Sequence, residues 1–272
     1  MPDDIQEGLS HAERAEVEEL SAPRSPVIYE VVRGHGEEEL SRPDGSLFWS
    51  GTAAGITIMA SVIVEGALRL RLPDAPWSEA VVHLGYSVGF LMVILGRMQL
   101  FTEQTIVAAL PVMAEPNRQK LLRSARLWII VFFANMLGTF VAAVMNAKLH
   151  LVSSELLAAM LAVSGHLLDK APLEVLAQAV PAGFIIASVA WIRAAVTNAD
   201  FWIVTVLTYI IALCGFTHVI AGSAETFLLL VAGQISLPYA VGTLIVPALI
   251  GNVIGGTGLF AILAHAQVRK EL

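Results

Sequence analysis

The sequence GFTHVIAGSAETF, residues 215–227, places an ionisable ring inside an apolar run. The preceding stretch FWIVTVLTYIIALC is apolar, and TFLLLVAG restores that character afterwards. His218 stands in the interruption, among small and polar residues. An ionisable side chain at membrane depth is costly, and it usually marks an ion or proton path. The stretch therefore predicts a broken membrane helix with His218 at a functional position, where imidazole could attract an anion or exchange a proton near neutral pH.

The composition indicates a membrane protein. Of the 272 residues, 56% are hydrophobic and 14% are charged, and the mean hydropathy is +0.72. Stretches of about 18 or more apolar residues predict membrane helices. The candidate spans are 47–68, 80–96, 127–147, 173–192, 201–217 and 240–264. We therefore predict an all-α membrane protein with six transmembrane helices.

Charge divides the chain into three parts. Residues 1–46 carry twelve Asp and Glu against four Arg, and they predict an acidic N-terminal cytoplasmic extension. We interpret this extension as a solvated, partly disordered arm, in which AERAEVEEL could form a short helix. The six-helix pore domain is expected at 47–266, and a short cytoplasmic tail at 267–272. The basic linker EPNRQKLLRSAR favours a cytoplasmic location for itself and both termini. The segment 148–170 predicts either a surface-lying helix or a short, partly buried one.

The two halves of the chain share short motifs in the same order. AGITIMASVI from Ala54 resembles AGFIIASVAW from Ala182, LFTEQT falls opposite FTHVIAG, and ANMLG matches GNVIG. This alignment sets Thr102 opposite His218. Three spans repeated after an odd number of crossings insert with opposite orientation, so the pattern predicts an inverted 3+3 repeat. Chance recurrence of small-residue motifs is the alternative.

A second interruption supports that repeat. GRMQLFTEQTIVAALPVM brings Arg97, Gln99 and Glu103 into the second apolar region. Polar side chains at membrane depth survive where they are buried in protein or line a water-filled cavity. The second and fifth helices are thus both predicted to be broken by loops, and Arg97 is predicted to neutralise Glu103.

Small residues follow an asparagine in each half, and they predict close helix packing with an interhelical amide hydrogen bond. The residues assigned to this structural role are Asn135, Gly138, Asn252, Gly255 and Gly256.

Together, GRMQLFTEQT, ANMLGT, GFTHVIAG and GNVIGG resemble the formate/nitrite transporter family over residues 47–265. The resemblance implies a homopentamer of aquaporin-like protomers in a bacterial inner (plasma) membrane. Each protomer would pass small monovalent anions, or their conjugate acids, between two hydrophobic constrictions around a central histidine.

The resemblance also implies roles for single residues. His218 matches the central histidine, and Thr102 matches the loop threonine that faces it. Lys170 matches a lysine at the pore mouth. The constrictions are assigned to Leu100, Phe101, Tyr86, Phe90 and Ile211, although ordinary helix packing would equally account for the last three. Four departures from the family pattern leave the substrate open: Gln99, Ala187, Thr217 and Gly222.

The resulting hypothesis is an anion channel in which His218 supplies a proton or a transient countercharge. A channel for a small neutral solute and a non-conducting sensor or structural membrane protein are the alternatives. We do not expect an enzyme, a cofactor or a metal site, because the sequence assembles no second histidine, cysteine or carboxylate pair at the depth of His218.

Overall fold

The computed structural model describes residues 10–13, 22–196 and 198–271, and over that part of the chain the regular structure is helical. The main helices are α1 (Ser25–Ser41), α2 (Asp44–Arg69), α3 (Ser78–Leu95, with a 3-10 turn at His83–Gly85), α4 (Phe101–Val107), α5 (Leu110–Ala114), α6 (Arg118–Lys148), α7 (Ser154–Ser164), α8 (Pro172–Ala195), α9 (Asp200–Leu213), α10 (Val219–Val231) and α11 (Leu237–Val268, with π-helical turns at Ala240–Ile245 and Ile254–Ala261).

Within the described residues, five helices are long and apolar enough to cross a membrane, by length and composition: α2, α3, α6, α8 and α11. Between 39% and 50% of their most apolar windows is buried. Large apolar side chains such as Trp49 and Phe133 consequently face outward, as they do where lipid replaces water. The prediction of an all-helical chain with several membrane-length helices is confirmed.

Both predicted interruptions are present. α3 ends at Leu95 and α4 begins at Phe101, while α9 ends at Leu213 and α10 begins at Val219. The predicted span 201–217 is therefore one member of a broken pair. The breaks bring Thr102 and His218 to the first turns of the following half-helices.

The segment after α6 folds as α7, which packs against α2 and α10. Ser153 caps its start by accepting the Leu156 amide at 3.2 Å. Met160 is fully buried against Gly66 of α2. Of the two predicted alternatives, the short, partly buried helix is the one observed.

The N-terminal extension differs from its prediction. Tyr29 and Val32 on α1 are buried in an apolar cluster, and the Tyr29 hydroxyl shares a 2.7 Å hydrogen bond with His265 Nδ1. The prediction of a solvated arm is wrong for residues 25–41, because they present an apolar face among the acidic residues. Most of the AERAEVEEL run, residues 14–20, lies outside the described residues.

α1, the end of α11 and the basic linker lie at one end of the molecule. Lys120 at the start of α6 donates to Glu37 of α1 at 2.6 Å. Gln267 near the end of α11 donates to Ser25 of α1 at 2.9 Å. α1 thus joins the start of α6 to the end of α11.

Glycines let the long helices approach closely. A Cβ atom at Gly55 would overlap the Asn135 carbonyl oxygen, and one at Gly183 would overlap the equivalent oxygen of Asn252. Three further predicted packing positions are equally crowded: Gly138, Gly255 and Gly256. The pairs α2 with α6 and α8 with α11 therefore pack in the same way.

Candidate functional site

The two chain breaks begin with the same helix-ending motif. One amide donates to the carbonyl five residues back, and the preceding amide donates to the carbonyl three residues back, as in the Schellman motif. The pairs are Met98–Val93 (3.0 Å) and Arg97–Ile94 (3.1 Å) after α3, and Phe216–Ile211 (2.9 Å) and Gly215–Ala212 (3.0 Å) after α9. The residue that the motif requires at positive φ is Arg97 (53°) in one break and Gly215 (66°) in the other.

The half-helices that follow also start from matching backbone positions. Leu100 precedes α4 with φ −106° and ψ 121°, and His218 precedes α10 with φ −104° and ψ 125°. The predicted register, which set Thr102 opposite His218 in the alignment of the halves, is therefore wrong by two residues. In backbone terms Leu100 is the counterpart of His218.

Two buried asparagines fix the starts of the half-helices. Each accepts the first helical amide with its side-chain oxygen and donates to two carbonyls with its nitrogen. The Asn135 bonds are to Phe101 N (2.9 Å), Gly51 O (2.8 Å) and Gln99 O (2.8 Å). The Asn252 bonds are to Val219 N (2.8 Å), Ala179 O (2.8 Å) and Thr217 O (3.0 Å). Backbone groups freed by the breaks are thus satisfied without water.

The side chains of His218 and Thr102 meet between the half-helices. His218 Nε2 lies 2.7 Å from Thr102 Oγ1, and both residues are buried. His218 Nδ1 accepts the Ala221 amide at 3.2 Å, capping α10. Because Nδ1 is an acceptor, the proton of the neutral ring is assigned to Nε2, which donates to the threonine.

Aromatic and aliphatic side chains surround this contact. The Phe90 ring stands edge-on to the His218 ring at a centroid distance of 5.0 Å, and the Tyr86 ring lies 5.1 Å from Phe90. Leu100 is also buried. Phe101 points to α6, where its ring lies 5.2 Å from Phe132.

Ile211 takes a different place from these residues. It is buried in the main apolar core, and its carbonyl accepts the Phe216 amide at 2.9 Å. It is absent from the linings of the described cavities. Of the two interpretations of Ile211, helix packing is the one its surroundings match.

One large cavity reaches His218, and a second lies near Gln99 and Glu103. The Lys170 cavity has a volume of about 410 Å³, and its lining includes Glu65, His83, His166, Lys170, His218 and Glu225. The Arg193 cavity has a volume of about 330 Å³, and its lining includes Val32, His35, Arg97, Gln99, Glu103 and Arg193.

The cavities lie at opposite ends of the same helices. α8 contributes Gln178 near its start to the Lys170 cavity and Arg193 near its end to the Arg193 cavity. α3 likewise contributes Tyr86 to the first and Ile94 to the second. The His218 side chain and its neighbours stand between them.

Lys170 is held at the mouth of its cavity. Its Nζ donates to Gln178 Oε1 at 2.6 Å and to the Gly215 carbonyl at 3.0 Å. Burial lowers the pKa of Lys170, while nearby Glu225 and Glu174 oppose that shift. The Lys170 ammonium group is therefore hydrogen-bonded to the chain break that precedes His218.

A side-chain amide from α8 partners Lys170. Ala187, which we interpret as a departure from the family pattern, packs in the apolar cluster of Tyr29 and Val32. Gln178, nine residues earlier on α8, supplies the amide. The amide that contacts Lys170 therefore comes from a position on α8 that the sequence did not single out.

The predicted pairing of Arg97 with Glu103 is also wrong. Arg193 lies 3.5 Å from Glu103 and 3.2 Å from Asp200. Arg97 occupies the positive-φ position of the first break, and its side chain lines the Arg193 cavity. Glu103 therefore pairs with Arg193 of α8 instead of with Arg97.

The sequence matches a profile described as Formate/nitrite transporter over residues 26–266. The chain belongs to the formate/nitrite transporter family. It is an integral membrane protein of that family, with membrane-length helices in the described part of the chain.

Relatives within and around the family support the assignment. Inner membrane protein YfdC of Escherichia coli (strain K12) is 34% identical over 274 aligned positions, covering 99% of this chain and 88% of that protein. Uncharacterized transporter YrhG of Bacillus subtilis (strain 168) is 26% identical and covers 90% of this chain and 96% of that protein. Formate channel FocA of Haemophilus influenzae is 30% identical over 100 residues, 36% of this chain and 34% of that protein.

Solved structures share the fold. The structure of an "FNT family ion channel" matches with a TM-score of 0.73 at 14% identity, covering 89% of this chain and 98% of that one. The structure of a "Pentameric formate channel with formate bound" matches with a TM-score of 0.68 at 17% identity, covering 84% and 98%.

Three of the residues that the sequence analysis interprets as departures from the family pattern lie around the histidine. Thr217 and Gly222 line the Lys170 cavity beside His218, and a Cβ atom at Gly222 would meet open space. Gln99 lines the opposite cavity and accepts a 3.0 Å hydrogen bond from Gln104. These residues thus contribute to the cavity linings on both sides of the contact.

Sequence reasoning missed four residues of the Lys170 cavity. Glu65 and Glu225 are buried carboxylates, and His83 and His166 lie 3.4 Å and 3.9 Å from them, respectively. The signal available was the presence of ionisable residues in the apolar stretches ASVIVEGAL and AGSAETFLLL.

Proposed function

We propose that this protein is a membrane channel for small monovalent anions of the formate, nitrite or hydrosulfide type, or for their conjugate acids. The observation that carries the proposal is the His218–Thr102 contact at 2.7 Å, between two cavities at opposite ends of α3 and α8. In this proposal, the path that joins the cavities passes this contact. Family membership supports transport along it.

The physical logic is the cost of moving an ion through a narrow apolar passage. An anion loses its hydration there, and hydrogen bonds or opposite charge must replace it. Leu100, Phe90 and Tyr86 supply the apolar walls. His218 and Thr102 supply the only pair of hydrogen-bonding side chains that we assign to the constriction, with Phe101 supporting the loop from α6.

Attraction to the passage is assigned to Lys170. Its amine lines the larger cavity, and its bond to the Gly215 carbonyl connects it to the break before His218. A fixed positive charge at a cavity mouth raises the local concentration of anions. Lys170 therefore acts on the approach of the anion, and His218 on its passage.

The architecture that we propose is six transmembrane helices in an inverted 3+3 repeat, related to that of aquaporins. It is supported by the matching Schellman motifs, the matching asparagine bonds and the matching glycine contacts of the two halves. We assign the Arg193 cavity, both termini and the basic linker to the cytoplasmic side, because α1 joins them at one end and basic linkers favour that side.

The proposed assembly is a homopentamer in the bacterial inner membrane. One structural neighbour is a pentameric formate channel, and the name of one relative places that relative in an inner membrane. In this proposal each protomer has its own passage, because the two cavities and the contact between them are built from a single chain.

The test is solute uptake by vesicles carrying the purified full chain. Formate, nitrite, hydrosulfide and glycerol are compared in the same preparation, with protein-free vesicles as the control. We expect uptake of at least one of the three anions above the control, with glycerol at the control level. Uptake of none of the anions contradicts the proposal.

A channel for a small neutral solute is the second candidate. It is favoured by the two buried carboxylates of the Lys170 cavity, Glu65 and Glu225, which oppose the approach of an anion. Glycerol uptake above the control, without anion uptake, would identify this alternative. Deleting residues 1–24, which leaves α1 and its contacts in place, separates both channel proposals from a sensor that acts through the residues before α1, because a pore continues to conduct without them.

A further inference from the structure

Glu225 is a buried acid that the proposed anion path does not explain. It lies on α10 seven residues after His218, and with Gly222 it forms one face of the helix. All three residues line the Lys170 cavity. The Glu225 side chain is 7% exposed, and its nearest charged partner among the described residues is His166 Nδ1, at 3.9 Å.

The Glu225 carboxyl group makes no hydrogen bond within the described part of the chain, since the 3.9 Å separation from His166 is too long for one. Burying a charged carboxylate without a donor is costly, and taking up a proton removes that cost. Because the Glu225 carboxyl group lines a cavity, it can gain and lose a proton there.

The surroundings of Glu225 contain further ionisable groups from each element that lines the cavity. These are Glu65 and Arg69 of α2, Glu79, His83 and Tyr86 of α3, His166 after α7, Lys170 before α8, and His218. Arg69 pairs with Glu79. With neutral histidines, two buried carboxylates therefore face one lysine, so the cavity as a whole does not favour a bare anion.

His218 is poorly placed to supply the proton itself. Its Nδ1 accepts the Ala221 amide at 3.2 Å, and its Nε2 lies 2.7 Å from Thr102. Both ring nitrogens are thus engaged by the protein. Protonating Nδ1 would break the cap of α10.

We propose that Glu225 is the proton-exchange group of the Lys170 cavity and that it protonates a small weak-acid anion before that anion reaches His218. The inference rests on the proposed channel function. The ligand class is the conjugate base of a small weak acid, such as formate. Glu65, beside His83, is a second carboxyl group in the same cavity, and we assign it a supporting electrostatic role.

The proton transfer is a simple exchange. The O–H bond of the Glu225 carboxylic acid breaks, an O–H bond forms on a formate oxygen, and no electrons change hands. Neutral formic acid then passes the His218 contact at a lower desolvation cost than formate. The Glu225 carboxylate regains a proton from cavity water, beside His166, whose side chain is 48% exposed.

The test measures formate uptake by vesicles as a function of external pH, with nitrate as an anion of a strong acid that cannot be protonated in this range. Glu225→Gln removes the exchangeable proton and retains the size of the side chain. Glu225→Asp retains the carboxyl group. Glu155→Gln is the matched control, since Glu155 lies on α7 and does not line the cavity. Size-exclusion chromatography confirms that each variant assembles like the wild type.

We expect wild-type formate uptake to rise as the external pH falls. Glu225→Gln loses this rise and takes up formate about a hundredfold more slowly, which is the lower end of what a positioned acid contributes. Glu225→Asp retains the pH dependence, Glu155→Gln behaves like the wild type, and nitrate uptake is unaffected by any of these changes.

Two results would overturn the inference while leaving the channel intact. One is an unchanged pH profile in Glu225→Gln beside a conducting wild type. The other is an equal increase of formate and nitrate uptake in Glu225→Gln, which would make Glu225 only a repulsive charge. An absence of anion uptake by the wild type at every pH contradicts the proposed function itself, and the inference with it.

Discussion

Asn135 and Asn252 hold the starts of α4 and α10 with the same three hydrogen bonds, one to an amide and two to carbonyls. Both side chains are fully buried. Each satisfies backbone groups that a broken helix leaves unpaired, at a depth where water is scarce. Because the two half-helices carry Thr102 and His218, the asparagines determine the geometry of their contact.

Replacing either asparagine therefore affects stability strongly. Asn135→Ala and Asn252→Ala each leave one helix-start amide and one loop carbonyl without a partner, and each orphaned buried group costs about 1–3 kcal/mol. The third partner, the carbonyl of Gly51 or Ala179, lies inside a continuous helix. We expect a loss of about 2–6 kcal/mol per variant, measured as a lower midpoint of thermal unfolding in detergent. Asn146→Ala is the control, since Asn146 is a buried asparagine whose amide bonds only within its own helix. A fall no larger than that of the control would contradict the role of the asparagines.

The two Schellman motifs predict opposite changes in stability when their positive-φ residues are replaced. Arg97 adopts a φ of 53°, which costs a residue with a Cβ atom about 1–2 kcal/mol. Arg97→Gly should raise the unfolding midpoint, and Gly215→Ala, at a φ of 66°, should lower it. Arg97→Lys separates backbone strain from charge, since it retains both the Cβ atom and the positive charge. If Arg97→Lys stabilises the protein as much as Arg97→Gly does, backbone strain at this position is not the cause.

Close packing between helices makes two glycines intolerant of a methyl group. Gly55→Ala and Gly183→Ala would push a Cβ atom into the backbone of Asn135 and Asn252, and overpacking of this kind costs about 1–3 kcal/mol. Gly34→Ala on α1 is the matched control, because its Cβ atom would meet open space. Unfolding midpoints in detergent compare the three variants, and equal midpoints would refute the importance of these close contacts.

Lys170 predicts a pH dependence of anion uptake. Burial lowers its pKa, so its positive charge is lost at a lower pH than the charge of a solvated lysine. Anion uptake at low substrate concentration, with equal pH on both sides of the vesicle, should consequently fall as the pH rises into the alkaline range. Lys170→Gln should remove that fall and reduce uptake at the lower pH values where the wild-type lysine is charged. Lys170→Arg should keep uptake high. An identical alkaline profile for the wild type and Lys170→Gln would exclude this role.

The sequence predicted the features that depend on local chemistry. His218 and Thr102 interrupt apolar runs. Polar side chains at membrane depth must be buried in protein or line a water-filled cavity, so their position in a broken helix could be predicted. The register between the halves could not be obtained in this way. LFTEQT and FTHVIAG align by letters, whereas the backbone equivalence of Leu100 and His218 depends on the hydrogen bonds of Asn135 and Asn252.

Other features depend on tertiary contacts that a single sequence does not contain. Glu65 and Glu225 belong to different apolar helices, and only the fold brings them into one cavity. The burial of Tyr29 and Val32 on α1 was hidden by the acidic composition of the extension, because net charge averages over both faces of a helix. Arg193 likewise reaches Glu103 from a distant helix.

The most direct test of the proposed channel is formate uptake by vesicles carrying the wild type, His218→Gln or the tail control His11→Gln, measured across external pH. Glutamine keeps a polar side chain at the constriction but lacks the imidazole ring that bonds Thr102 and caps α10. We predict that His11→Gln matches the wild type and that His218→Gln changes the rate of uptake by about tenfold at every pH, for the loss of a hydrogen bond worth about 1.4 kcal/mol. Formate uptake by His218→Gln at the wild-type rate across the pH range would contradict the proposed role of the histidine in the channel.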